Sequence, residues 1–578
     1  MTKAFLTRLA VAGTAVAGVL ALAALPAGAD PAPQSASKGR GNGGSKPDHS
    51  VPVRLLTIND LHGNLEPPTG SSGRIVDETG QTVDAGGAAY LAAHLKRLRD
   101  RNTLVVAAGD LIGASPLISA AYHDEPTVSL LDKLGLATSA AGNHEFDEGY
   151  AELKRIMDGG CHPTDGCSPA GKWKGARFDY LAANVVREKN GAEALPPYVI
   201  KQVNGVKIGF IGLVTQTTPS IVTSSGIQGL EFTDEVEAAN RVSRLLAAKG
   251  VKAQVVLVHE GDQVATPQSP DTCPVVPGPG SRIAAGLDPE IDLVISGHSH
   301  QAYICKIKDP AGQDRYHTQG SSFGRIITQI DFRVDRKTRD VIRSSVSADN
   351  HVVTRTITPD PEVEAYVQTW KERVSVVANR PVGNITATIA RDPSGAGESP
   401  LGNLIADAQL EAAREGGAEI ALMNPGGVRA DLTYPASGSE GDGVVTYGEA
   451  FTVQPFNNLV QVVTLTGEQL RRLLEQQWTE SYTRVLQPSA SLTYTADLTK
   501  PIGSRVSDIK INGIPVTDTQ RIRVAANNFL IGGGDGFTVF TEGTELWSGP
   551  LDIDAFVAYL SAHSPVDPPA TDRITFIR

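Results

Sequence analysis

Val53-Arg54-Leu55-Leu56-Thr57-Ile58-Asn59-Asp60-Leu61-His62-Gly63, residues 53–63, changes character once. A mainly apolar run stops, and an amide, a carboxylate and an imidazole follow before a glycine. An apolar run of this length reads as a strand buried on both faces, which is the signature of a parallel sheet covered by helices. The same change recurs along the chain. Thr103–Ala108 ends in Gly109-Asp110, and Ala137–Ala141 precedes Gly142-Asn143-His144-Glu145. Ala253–Val258 ends in His259, and Ile291–Ile295 leads to Gly297-His298-Ser299-His300. Between these runs, and around a further one at Val206–Val214, lie helical patterns at Ala88–Arg99, Thr127–Lys133 and Val236–Ala248. The alternation predicts an α/β fold.

Taken singly, each strand end has an ordinary explanation. Asp and Asn commonly open turns or cap helices, and a lone His is usually a surface or hydrogen-bonded residue. Five strand ends in series carrying Asp, Asn and His are harder to explain as caps. In open α/β sheets the carboxyl edge is where ligands bind. Mixed imidazole and carboxylate donors suit divalent Zn, Mn, Fe or Co better than Ca or Mg.

The rest of the chain bounds the function. At 578 residues it predicts more than one domain. Its 52 basic against 64 acidic residues give a net charge of −12, which argues against a nucleic-acid polymer as partner. A small anion is still compatible, because a bound cation reverses the local potential. Lys3 and Arg8, the apolar stretch Leu9–Leu25 and Ala27-Gly28-Ala29 read as an export signal cleaved after Ala29, with no stable membrane anchor. Residues 30–50 read as a disordered lead-in. The four cysteines, Cys161, Cys167, Cys273 and Cys305, fit disulfides in an exported chain. Of three possible pairings, sequence proximity favours Cys161–Cys167 and Cys273–Cys305. A helix over Glu362–Val377, within a linker at 353–380, divides residues 51–352 from a second α+β domain at 381–578.

The five strand-end blocks resemble the calcineurin-like metallophosphoesterases, whose blocks run Asp-x-His, Gly-Asp, Gly-Asn-His-Glu, His and Gly-His-x-His. The resemblance implies a four-layer α/β/β/α sandwich holding two divalent metal ions. Asp60, His62, Asp110 and His300 would hold one; Asp110, Asn143, His259 and His298 would hold the other, with a bridging hydroxide as nucleophile. It assigns His144 to the leaving oxygen or the phosphoryl charge and Asp147 to orienting its ring. The plainer role for Asp147 is to cap a helix at Glu148–Met157.

Residues 423–429 (MNPGGVR), 454–458 (QPFNN) and 527–537 (NNFLIGGGDGF) are rich in Gly and polar groups. They look like the second, substrate-binding domain of the 5′-nucleotidase family. That resemblance implies that Asn424 and Arg429 contact phosphate or ribose, that Phe456 and Phe537 sandwich a base, and that Asn458 bonds it. It also implies a second domain that rotates to deliver substrate. The bland alternative makes both phenylalanines core residues. A further Arg is expected early in this domain, with Arg391 the nearest candidate, and an acidic ribose reader is expected after Phe537, where Glu542 stands. The function implied is hydrolysis of nucleoside 5′-monophosphates, with 2′,3′-cyclic nucleotides or UDP-sugars as further substrates. The alternatives are a related dimetal hydrolase on another phosphate or sulfur ester, and a secreted nucleotide binder without turnover.

Overall fold

The computed structural model describes residues 49–222, 224–264, 269–391, 397–480 and 482–578. The export signal, the lead-in up to Asp48 and the first part of the loop after Arg391 lie outside the described residues.

Two six-stranded sheets form the first half. From edge to edge, one runs Ser347–Val352, Ile326–Asp335, Ser50–Ile58, Thr103–Ala108, Leu136–Ala140, Asp179–Leu181. The other runs Ala302–Lys308, Asp314–Gly320, Leu293–Ser296, Ala253–His259, Val206–Val214, Tyr198–Val203. The ligand-bearing strands are central and parallel: Arg54 pairs Thr103, and Val255 pairs Leu293. Their inner faces meet in one core of Val53, Leu55, Val106, Phe210, Val255 and Ile295. The outer face of the first sheet is covered by helices Ala88–Leu98 and Glu125–Lys133. Helices Glu235–Ala248 and Pro279–Gly286 cover the second. The result is the expected α/β/β/α sandwich. Burial on both faces explains why these strands read as near-continuous apolar runs.

The connecting helix, Pro361–Ala378, starts where Asp360 accepts hydrogen bonds from the backbone N–H groups of Glu362 and Val363, with Pro361 at its first position. It is more than a spacer. Trp370 and Val374 bury against the first half, and the Tyr366 hydroxyl donates to the Pro126 carbonyl at 2.7 Å.

The second half builds a five-stranded sheet in the order Gln487–Pro488, Ile420–Met423, Arg521–Asn527, Leu459–Thr466, Thr544–Leu551, and a separate four-stranded one. Helices Pro400–Ala412 and Asp552–His563 pack on it. Leu117 of the first half joins the core of the second, and the Ser71 N–H donates to Asp431 at 3.0 Å. Both expected disulfides are present, Cys161–Cys167 and Cys273–Cys305. Among the described residues, no helix is long and apolar enough to cross a membrane.

Candidate active site

All seven expected ligands converge at the carboxyl edge between the two sheets. The backbone turns sharply there: Asp60, His62, Asp110, His298 and His300 take left-handed φ angles of 50°, 46°, 49°, 73° and 58°. That conformation costs on the order of 1 kcal/mol or more for a residue with a Cβ, and such strain gathers at functional sites. Glycine makes the close packing possible. A Cβ on Gly142 would lie 2.2 Å from Asp110 Oδ1.

Asp60, His62 and His300 bring one donor atom each within 4.8 Å of one another, and so do Asp110, His259 and His298. Asp110 Oδ2 stands between the groups, 3.6 Å from His62 Nε2 and 2.9 Å from His259 Nε2. The hydrogen bonding tests whether a cation fits. His259 Nδ1 faces the Ala108 carbonyl at 2.8 Å, so it carries a proton. Its Nε2 then faces Asp110 Oδ2 and, at 3.1 Å, Asn143 Oδ1. Likewise His62 Nδ1 donates to the Gly113 carbonyl at 2.9 Å, while its Nε2 faces His300 Nε2 at 3.1 Å. Electron pairs aimed at common points are what a metal ion satisfies. Burial opposes charge on His259, yet Asp110 outweighs it and lifts the imidazole to about 10, which marks a pocket whose acidic oxygens favour a cation. The donors therefore fit two divalent ions, which when bound supply an activated water and neutralise phosphoryl charge.

His144 adjoins these groups, with a ring nitrogen that also lies within 4.8 Å of donor atoms on His62 and Asp110. Its ring lies 5.0 Å from that of His62, and its Nδ1 bonds Asp147 Oδ2 at 2.8 Å. Burial disfavours the imidazolium, but Asp147 and Asp110 outweigh burial and raise its pKa above the ordinary value. Asp147 does not cap the helix that follows, which spans Tyr150–Asp158 with Gly149 at its cap; it closes the short 3-10 turn His144–Phe146 and also accepts the Ala114 N–H at 3.1 Å.

Two neighbours have positioning roles that the motif alone does not reveal. Buried Glu145 accepts backbone N–H bonds from Asp110 and Leu111, both at 2.9 Å, and from Gly142, which ties two ligand loops together. Asn59 donates to Asp60 Oδ2 at 2.6 Å.

The second half supplies the opposite wall. The Phe456 ring stacks on His144 at 5.8 Å and 27°, and the Arg429 guanidinium lies 5.8 Å from the same ring. Arg429 Nη2 is buried without a hydrogen-bond partner. Arg391 Nη1 donates to the Arg429 carbonyl at 2.7 Å and braces that loop. Asn424 is buried, donating to Asp535 Oδ2 at 2.8 Å and accepting from Asn527 at 3.0 Å. The Asn458 carbonyl accepts the Asp552 N–H at 2.7 Å.

Two expectations need correction. Phe537 has 0 % exposure and packs in the core with Leu470, Leu530 and Phe540, so it offers no face to a ligand. Half-buried Phe529, in the same segment, lies across the glycine loop: a Cβ on Gly534 would sit 2.5 Å from its ring. The Leu459 N–H bonds Asn528, which sets Phe529 in the turn adjoining Phe456-Asn457-Asn458. Glu542 lies on the outer surface paired with Arg472, whereas Asp535, bonded to Asn424, is the acidic residue among the site loops.

Comparisons with known proteins match both halves of the chain. Residues 53–302 match the calcineurin-like phosphoesterase model and residues 377–542 the 5′-nucleotidase C-terminal domain model. Cell wall protein Lmo0130 of Listeria monocytogenes is 34% identical over 545 residues, 88% of this chain and 67% of that protein. Endonuclease YhcR of Bacillus subtilis is 32% identical over 89% of this chain, which spans only 40% of YhcR. The crystal structure of a 5′-nucleotidase precursor from Thermus thermophilus superposes with a TM-score of 0.75 at 27% identity, covering 91% of this chain and 99% of that one. The chain belongs to the 5′-nucleotidase family of metallophosphoesterase hydrolases.

Proposed function

We propose that the chain is an exported phosphoesterase that cleaves nucleoside 5′-monophosphates to nucleoside and phosphate, with 2′,3′-cyclic nucleotides and UDP-sugars as further substrates. The observation that carries the reading is Arg429. A buried guanidinium nitrogen without a partner, on a loop that faces His144 and the ligand cluster, is built to receive an anion. A phosphoryl group there meets the metal ligands on one side and Arg429 on the other. His144, held by Asp147, stands ready to hand a proton to the leaving oxygen. Phe456 and Phe529 form the two walls that stack the base, and Asn458 and Asp535 supply polar contacts to the nucleoside. Two disulfides support export, since such bonds persist in oxidising compartments.

Zinc, manganese, cobalt or iron suits the donor set. A second reading, cleavage of polynucleotides, is favoured by the likeness to an endonuclease and opposed by the net charge of −12. The test is a panel of AMP, cyclic AMP, UDP-glucose, bis-p-nitrophenyl phosphate and single-stranded DNA, each with and without chelator. The reading requires AMP to have the highest kcat/KM and all turnover to need metal. DNA as the preferred substrate would replace it with the second reading.

A further inference from the structure

Two residues after Arg429 stands half-buried Asp431, whose carboxylate is shared between the two halves of the chain. Its Oδ1 accepts the backbone N–H of Arg391, in the second half, at 2.9 Å. Its Oδ2 accepts the backbone N–H of Ser71, in the first half, at 3.0 Å. Both donors are backbone groups, so each bond fixes a loop rather than a flexible side-chain tip. Arg391 Nη1 in turn donates to the Arg429 carbonyl at 2.7 Å. Beside it, Ile389 and Leu432 exchange both backbone hydrogen bonds, at 2.9 and 3.1 Å, and both side chains are buried. The segments around Arg391 and Arg429 therefore form one braced unit, and Asp431 ties that unit to the first half.

The loop on the other side is fixed as well. Gly70 has a φ of 57°, and a Cβ there would lie 2.7 Å from Asp431 Oδ2, so the close approach requires glycine. Arg355 Nη2 donates to the Pro68 and Ala85 carbonyls, both at 2.7 Å. Arg325 Nη1 donates to the Arg74 carbonyl at 2.8 Å, and its Nη2 to Ser322 Oγ at 2.7 Å. The next N–H, that of Phe323, donates to the carbonyl of the ligand residue Asp60 at 2.7 Å. Hydrogen bonds and short loop segments thus run from Asp60 through Arg325 and Ser71 to Asp431, and on through Arg391 to Arg429. Asp431 is where this path crosses from one half to the other.

We propose that Asp431 is a positioning residue for phosphoester hydrolysis. Without touching substrate, it holds Arg429 at the distance from the ligand cluster at which one phosphoryl group meets both. The proposal rests on the reading of Arg429 as the receiver of that group. Such alignment counts in the rate, since a misplacement of about 1 Å costs about 100-fold.

The test is a double-mutant cycle on the full, metal-loaded chain, reading kcat/KM for AMP and bound metal. Arg429→Met alone should lower kcat/KM by about 100-fold, as loss of one charged donor to the transition state does. Asp431→Ala alone should lower it by about 10- to 100-fold with bound metal as in wild type. In the Arg429→Met background, Asp431→Ala should cost less than about threefold more, because the group it positions is gone. Asp431→Asn, which keeps the shape and one acceptor oxygen, takes the place of Ala in the cycle if Asp431→Ala does not fold, with the same non-additivity expected. Losses that multiply, or a wild-type kcat/KM in the Asp431 variant, overturn the proposal while leaving Arg429 its role. A wild-type kcat/KM in Arg429→Met overturns the reading of Arg429 and the proposal with it.

Discussion

Asp147→Asn isolates the proton-transfer half of the proposed chemistry. In the native chain Asp147 Oδ2 lies 2.8 Å from His144 Nδ1 and 3.1 Å from the Ala114 nitrogen. The amide oxygen of Asn can keep the Ala114 bond, so the loop should hold its shape. What is lost is a charge-assisted hydrogen bond to a buried imidazolium, about 1.5–3 kcal/mol. If that bond stabilises the proton donor in the transition state, kcat for AMP falls by about 10- to 150-fold. The sign of the pH effect follows from the same contact. Asp147 raises the His144 pKa, so its removal lowers that pKa and the acid form vanishes at lower pH. The alkaline limb of the kcat profile should therefore move toward acid. A substrate whose leaving group departs as a stable phenolate, such as p-nitrophenyl phosphate, needs no such proton and should lose much less. Metal content, measured in parallel, should match wild type. Equal losses on both substrates, or loss of bound metal, would refute the reasoning and make the dyad structural.

The aromatic wall gives a contrast among three phenylalanines. Phe456→Ala and Phe529→Ala should raise the KM for AMP by about 5- to 150-fold, from about 1–3 kcal/mol of stacking each, with the fold intact in Phe456→Ala and some stability lost in Phe529→Ala, whose ring also packs on the core. Phe537→Ala should instead lower stability by about 3–5 kcal/mol, read by denaturant unfolding, because its ring is fully buried; an unchanged KM in the first two would remove the clamp. The buried His317 imidazole, held down to about 4 by burial, gives a pH signature. Its folded pKa lies below the unfolded value of about 6.5, so as pH falls the unfolded chain takes up the proton first. Stability present above that value should drop by about 2 kcal/mol between pH 7 and pH 5 from this group. Urea unfolding of His317→Gln should show a correspondingly flatter slope, and an unaltered slope would exclude His317 as the source.

The first half of the fold was legible because burial on both faces writes itself as apolar runs, and function writes itself as polar residues where those runs stop. Thr103–Ala108 and Val206–Val214 span the same residues in sequence and structure. The candidate ligands stood out for the same reason, since Asp60 and Asp110 lie two residues past a strand and His259 is the last residue of one. The proposed base clamp was less legible. Phe529 and Phe537 flank one glycine loop, and which ring turns inward depends on packing against Leu470 and Phe540, distant in sequence. Nor could spacing alone show that Glu145 bonds the Asp110 loop, because that contact spans 35 residues.

The most direct test of the central claim is AMP hydrolysis by the chain stripped of all metal and then titrated with manganese or zinc. The account predicts no turnover in the stripped chain, activity restored as metal is added, and none at any metal concentration in Asp110→Asn. Full-rate hydrolysis by the metal-free chain, or by Asp110→Asn, would contradict it.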